Sequence, residues 1–335
     1  MTMSVSNLVS VIVPVYNRPV QLQTAVSSAL AQDYRPIEIL IVDDGSSDGQ
    51  TLAVAQSLAS SHPNIVRVLR ITNGGPGAAR EHGRVAAQGE FIQYLDSDDV
   101  LLPGKFTAQV AALRARPDAN VAYGITLLRD AKGQLASKTH KDTAVSRKHM
   151  FPAFLNSRWW ETATPLYRAA ICAVAGPWTT LRLEEDWEYD CRVAAAGGTL
   201  VHCAVAVCEH RDHPGDRLSR GETLDAVRLA MRAQSHRLVW GHAKNARLPE
   251  SAPTEVAVFA RSLFLLARQC GAAGLSREAR GLHALAIEAG ERDVGVRRQL
   301  WVYRAVAAVL GWRWAGRLAL HFDQLRDKVK APTNE

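Results

Sequence analysis

The strongest constraint on the fold is the alternation of four apolar, β-branched runs with helical stretches in the first hundred residues. "LVSVIVPVY" (8–16), "IEILIVDDGSSDG" (37–49), "IVRVLRI" (65–71) and "EFIQYL" (90–95) are separated by "QLQTAVSSALAQ" (21–32), "QTLAVAQSLASS" (50–61) and "PGAAREHGRVAAQ" (76–88). Apolar strands punctuated by helices predict a βαβ series with parallel neighbours and right-handed crossovers. Ligands of such sheets bind beyond the carboxyl ends of the strands. Two acidic clusters fall there: Asp43 and Asp44 behind the second run, and Asp96, Asp98 and Asp99, with Ser97 among them, behind the fourth.

Carboxylates crowded in this way repel one another and raise one another's pKa unless a cation or a donor sits among them. A hard divalent ion, Mg²⁺ or Mn²⁺, held by one or two carboxylates plus phosphate oxygens, suits these residue types. The competing reading is a helix cap, with "DSDDVLLPGKF" accepting the free amides of the segment that follows. Residue type alone leaves both open. "GGPGAAR" (74–80) nearly reproduces a dinucleotide-binding fingerprint, but Arg80 stands where the third glycine belongs and the motif follows the third strand. After the first strand comes "PVYNRP", without a glycine, which disfavours a Rossmann oxidoreductase.

At 335 residues the chain exceeds a typical single domain, and 47% apolar against 22% charged residues is a globular balance. The formal charge of +7 belongs to the C-terminal part, where residues 216–335 hold 20 Lys and Arg against 12 Asp and Glu. That basic stretch suits an anionic lipid surface or a solvated Arg-rich helical face; no nucleic-acid partner is expected. The five cysteines form no C-x-x-C pair, so reduced thiols are expected, and His202, Cys203, Cys208 and His210 lie in a strand-like run, "LVHCAVAVCEH", that makes a poor zinc knuckle. No export signal opens the sequence, and "LWVYRAVAAVLGWRWAGRLAL" (300–320) is broken by Arg304, Arg313 and Arg317 in the manner of an amphipathic helix rather than a membrane span. A cytoplasmic protein, peripheral at the inner face of the plasma membrane if that helix binds lipid, is the expectation.

"VSVIVPVYNRP", "IEILIVDDGSSDG", "NGGPGAAREHG", "GEFIQYLDSDD" and "LEEDWEYDCRVAAAGG" occur in this order. Over roughly residues 7–220 the series resembles the family 2 glycosyltransferases. The resemblance implies a GT-A fold, a mixed and mainly parallel α/β sheet flanked by helices, in residues 1–220, with a helical extension over 221–335. It also implies an inverting, metal-dependent transfer from a nucleotide-sugar donor, UDP-linked by preference, to a saccharide or lipid-linked acceptor of cell-surface polysaccharide synthesis. A protein that keeps the fold and binds nucleotide-sugars without turnover is the alternative.

Carried over residue by residue, the resemblance places Pro14, Tyr16, Asp44, Arg80, Asp96 and Ser97 around the nucleotide-sugar: Tyr16 near the base, Asp44 accepting from it, Arg80 near the phosphates. Asp98, the second acid of the D-x-D, and His213 are the implied metal ligands for Mn²⁺ or Mg²⁺. Asp99 is expected to cap the segment that follows. Asp186 of the "EDW" is the implied general base, and Arg211, Glu185 and Trp187 are phosphate or acceptor contacts; Ser219 of the loop "EHRDHPGDRLSR" is a weaker match. The bland alternatives are a core-edge tyrosine at 16, an Asx turn at Asp44, a surface pair between Arg80 and Glu81, and acids favouring a helix N-terminus at 184–188. Trp159, Trp160 and Trp178 either stack on acceptor sugars or fill the core. Farther on, "VFARSLFLLARQCGAAG" and "SREARGLHALAIEAG" read as two amphipathic helices joined by a glycine-containing turn, and 298–330 carries Trp301, Trp312 and Trp314 among arginines, a pattern shared by interfacial and by packed helices.

Overall fold

A computed structural model describes residues 4–136, 139–212 and 224–330. The chain divides into two compact units, residues 1–154 with 158–216, and residues 155–157 with 217–335.

The first unit is built on β1 (Val5–Val15), α1 (Pro19–Leu30), β2 (Ile37–Asp43), α2 (Thr51–Ser61), β3 (Val66–Arg70), α3 (Pro76–Ala86) and β4 (Gly89–Tyr94), the series expected from the apolar runs. The chain continues through β5 (Val100–Leu101), α4 (Lys105–Ala115), β6 (Val121–Arg129), the single turn α5 (Ala153–Asn156), β7 (Leu166–Arg168), α6 (Ala169–Ala175), α7 (Glu185–Ala195) and β8 (Leu200–Arg211). One sheet of eight strands results, in the order β3-β2-β1-β4-β7-β6-β8-β5. Its first four strands are mutually parallel, β7 runs antiparallel to both β4 and β6, and β8 lies parallel to β6. The sheet is therefore mixed and mainly parallel, flanked by helices.

Strand β1 stands in the middle of the parallel half because every residue from Leu8 to Val15 is buried, and Val9 to Val15 pair with Ile37 to Asp43 of β2. Alternate residues Val9, Val11, Val13, Ile39 and Ile41 share a core with Leu22, Ala25 and Val26 of α1. Burying each such side chain contributes about 1.5–3 kcal/mol. On α3, a Cβ at Gly83 would stand 2.3 Å from Ile12 Cγ2 of β1, so glycine permits the helix to lie directly on the strand.

The second unit is helical: α8 (Ala226–Asn245), α9 (Leu248–Ser251), α10 (Pro253–Ala272), α11 (Ser276–Ala289) and α12 (Val294–Lys330), the last kinked at Gly311, whose φ is 76°. Helices α10 and α11 are the pair anticipated from sequence, joined through Gly274 at φ 88°. Leu263, Leu266 and Ala267 of α10 and Leu282 and Ala286 of α11 are fully or almost fully buried. Among the described residues no helix is long and apolar enough to cross a membrane.

Candidate active site

The parallel strands β1, β2 and β4 end together, and their C-terminal turns bring the acidic clusters to one edge of the sheet. Immediately beyond β1, Tyr16 is exposed and Asn17 adopts φ 52°. The Asn17 side-chain oxygen Oδ1 accepts from the Ser47 amide at 2.8 Å and the Asp48 amide at 3.2 Å, which stitches the turn after β1 to the turn after β2. Pro14 lies one residue inside β1, buried and paired in register with Val42.

Asp44 is buried, and its carboxylate accepts from the Gly74 amide at 2.7 Å and the Gly75 amide at 2.9 Å. Burial pushes its carboxyl above the ordinary range, although both amides pull it down. These bonds show what the near-fingerprint glycines do. Gly75 sits at φ 88°, a conformation that costs a side chain, and a Cβ at Gly77 would lie 2.1 Å from the Thr179 carbonyl oxygen. The motif clamps Asp44 and lets α3 pack tightly. Asp43, also buried, accepts from the Ser46 amide and pairs with Arg70 at 3.2 Å.

The turn after β4 divides its three aspartates among three different basic side chains. Asp96 accepts from Arg80 Nη2 at 2.6 Å, Asp98 from Arg18 Nη1 at 2.6 Å, and Asp99 from His210 Nδ1 at 2.9 Å. Asp99 also accepts from the Arg211 amide at 3.3 Å. Burial pushes the Asp99 carboxyl up to about 6, the pull of His210 notwithstanding. The expected cap is not formed: α4 begins at Lys105 behind Gly104, in left-handed conformation and without a side-chain cap, because the two-residue strand β5 intervenes and Asp99 is turned toward the end of β8. Ser97 is buried between these acids.

Arg80 is 3% exposed, so the surface pair with Glu81 is also overturned; Glu81 instead accepts from Arg84 at 2.6 and 2.8 Å. The Arg80 guanidinium lies 4.9 Å over the Trp178 ring and bridges Asp96 to Glu185 Oε1, the latter at 2.7 Å. One buried cation thus joins the D-x-D turn to the first turn of α7. Glu185 is correspondingly buried, and desolvation holds its carboxyl above the ordinary range. An anion already spent on Arg80 is poorly suited to contact phosphate.

Asp186 follows at the mouth of α7, its side chain 29% exposed, with Arg158 Nη1 at 2.9 Å from Oδ2. Arg158 is anchored from behind by Asp190 at 2.8 Å, and Asp190 in turn accepts from Trp160 Nε1 and the Tyr167 hydroxyl. Trp187 donates its indole N–H to the Phe154 carbonyl at 2.7 Å. Trp159, Trp160 and Trp178 are 3%, 0% and 6% exposed, which places them in the core and removes them as sugar-stacking platforms; Trp178 is stacked on Tyr189 at 4.0 Å. Arg211, at the end of β8, lies 3.5 Å from Glu209. His213 and Ser219 fall outside the described residues.

Residues 10–173 match the sequence model of glycosyl transferase family 2. The chain carries a family 2 glycosyltransferase domain. Among curated relatives of that domain, a glycosyltransferase of unassigned substrate from Rickettsia conorii is 40% identical over 128 residues, 38% of this chain and 20% of the relative. The GalNAc(5)-diNAcBac-PP-undecaprenol beta-1,3-glucosyltransferase of Campylobacter jejuni is 33% identical over 150 residues, 43% of this chain and 47% of the relative. The chain therefore spans less than half the length of these relatives. In fold, the family 2 domain and the helices after it resemble S. aureus TarS 1-349 in complex with UDP-GlcNAc, with a TM-score of 0.60 at 20% identity over 89% of this chain and 91% of that one. The mannosyltransferase PcManGT of Pyrobaculum calidifontis, in complex with GDP-Man and Mn2+, gives 0.53 at 19% identity over 96% and 87%. The fold is GT-A-like.

Sequence reasoning passed over Arg18, Asn17 and Arg158. Only the position of Arg18, three residues beyond the end of β1, was available as a signal; Arg158 had none, because its partners lie on α7.

Proposed function

We propose that the protein is an inverting, metal-dependent glycosyltransferase that moves a sugar from a UDP-linked donor to a hydroxyl of a saccharide or lipid-linked acceptor. The observation that carries this reading is the Arg80 bridge, which holds the D-x-D acids and the E-D acids at one sheet edge. In a single displacement the acceptor hydroxyl gives its proton to Asp186 as its oxygen bonds to the anomeric carbon, and the bond from that carbon to the diphosphate oxygen breaks with its electron pair. Arg158 holds Oδ2 of Asp186 and the Trp187 amide donates to Oδ1 at 2.7 Å, which orients a carboxylate that is still 29% exposed. Tyr16 offers an exposed ring to the base, and Asp44, held rigid by two glycine amides, is the acceptor beside it.

The donor set suits a hard divalent ion: Asp96 and Asp98 are carboxylates with side chains 31% and 16% exposed, and Asp98 already attracts a cation in Arg18. Mn²⁺ or Mg²⁺ held by Asp98, with His213 as a second ligand, would neutralise charge on the leaving diphosphate. The lipid-linked acceptor rests on the undecaprenol-linked substrate in the name of the Campylobacter relative. A membrane surface is supported by α12, where Trp301 and Trp314 are 64% and 58% exposed and lie under the guanidinium groups of Arg304 and Arg317.

Calorimetric titration with UDP, dTDP and GDP, each with and without Mn²⁺, tests the reading. Metal-dependent binding of one nucleotide, lost in Asp98→Ala, is the expected result. Binding of none refutes a nucleotide-sugar site, and intact binding without turnover on any acceptor identifies the non-catalytic alternative.

A further inference from the structure

We propose that His140, Glu161 and His210 form a second metal site, for a zinc-class transition ion, separate from the D-x-D. One ligand atom from each of the three residues lies within 4.8 Å of the others. The residues come from three distant parts of the first unit: His140 from the segment after β6, Glu161 from the segment before β7, and His210 from the last turns of β8. Two imidazoles and one carboxylate are the donor set that zinc, cobalt and nickel prefer, whereas Mg²⁺ and Ca²⁺ prefer oxygen alone. Ligands about 2.0–2.1 Å from a tetrahedral zinc stand roughly 3.4 Å apart, so the site is completed when the His140–Glu161 contact, at 2.7 Å, opens by about 0.7 Å and the wider spacings, up to 4.8 Å, close by about 1.4 Å.

Two further features favour a metal over a surface ion pair. The first is an outer shell: the Asp99 carboxylate holds His210 Nδ1 at 2.9 Å, the contact that orients a metal-ligating histidine. The second is the arrangement of the rings. His140 and His210 lie nearly parallel, 16° apart with centroids 5.2 Å distant, and each is fixed by its own carboxylate, His140 by Glu161 at 2.7 Å. The competitor is also visible. Lys141 Nζ stands 2.7 Å from Glu161 Oε1, a monovalent charge on a side chain 32% exposed that can swing into water when a divalent ion arrives. Arg158 approaches the other oxygen only to 4.0 Å. Binding releases whatever proton His140 shares with Glu161 and ties the three chain segments together.

The test uses the full chain, stripped with a chelator and titrated with Co²⁺. Visible absorption reports four- or five-coordinate cobalt, and Zn²⁺ added afterwards should bleach it. The expected result is one equivalent bound, affinity lowered at least about tenfold in His140→Ala and in His210→Ala, affinity lowered about 10–100-fold in Asp99→Asn, and affinity raised in Lys141→Met. Asp98→Ala should leave the band unchanged, which separates this site from the proposed donor site. Lys141→Met alters an exposed side chain, so it keeps the test valid if a histidine variant fails to fold. No visible band, a band untouched by the His140, His210 and Lys141 substitutions, or a band lost only in Asp98→Ala would each overturn the proposal.

Discussion

Replacing Arg80 by methionine keeps most of the buried stem and removes the charge that two acids share. Arg80 is 4% exposed in its side chain, Glu185 9% and Asp96 31%. Asp96 can turn to water, but Glu185 cannot, so the cost is that of a buried carboxylate deprived of its partner, about 3–5 kcal/mol. Glu185 has one escape, which is to take a proton. Burial already raises its pKa, and loss of Arg80 raises it further. A carboxyl whose folded pKa exceeds its unfolded value carries no penalty below the unfolded pKa and the full penalty above the folded one, so the variant should lose stability as pH rises between them. The assay is urea unfolding followed by tryptophan fluorescence at pH 5 and pH 8. Arg80→Met should lose about 3–5 kcal/mol at pH 8 and distinctly less at pH 5. Arg80→Met combined with Glu185→Gln should regain about 2 kcal/mol at pH 8, because the amide bears no charge to strand. A single variant within about 0.5 kcal/mol of wild type at both pH values, or a double variant no better than the single, would refute the view that this bridge is a buried structural pair.

Lys105 is fully buried, donates to the Thr164 carbonyl at 2.9 Å and faces no carboxylate among its described contacts; desolvation lowers its pKa from 10.5 to about 7. The unfolded chain then binds the extra proton between these values, so stability rises with pH across that window, by roughly 1.4 kcal/mol per unit. Lys105→Met should flatten the rise and stabilise the protein below pH 7, since Gln109 still satisfies the Thr164 carbonyl at 3.0 Å; an unchanged slope of melting temperature against pH would contradict this. Arg158→Lys shortens the reach to Asp186 while keeping the charge beside Asp190, and should lower kcat about 10–100-fold at nearly constant donor KM. A loss confined to KM would place Arg158 in donor binding instead.

What the sequence disclosed and what it hid divide along the range of the interactions. Strands β1, β2 and β4 were legible because parallel strands buried on both faces are rich in apolar residues, and the part-buried edge strand β3 because its apolar residues fall between arginines; the D-x-D and E-D acids were legible because each group is contiguous. The partners of those acids were not. Arg18 reaches Asp98 across 80 residues and Arg80 reaches Glu185 across 105, separations at which local periodicity carries no information. Trp159 and Trp160 show the complementary limit: a buried core residue and a sugar-stacking platform share one composition, and only burial tells them apart. The near-fingerprint at 74–80 lies between these cases. Its glycines nearly match a dinucleotide-binding fingerprint, but the group approaching the amides is the Asp44 carboxylate rather than a pyrophosphate. A glycine-rich turn at a helix start offers its amides to any anion, and here the protein supplies its own. Asp44 is consequently held by Gly74 and Gly75, so under the proposed function a nucleotide base would meet an acceptor whose orientation those two amides set.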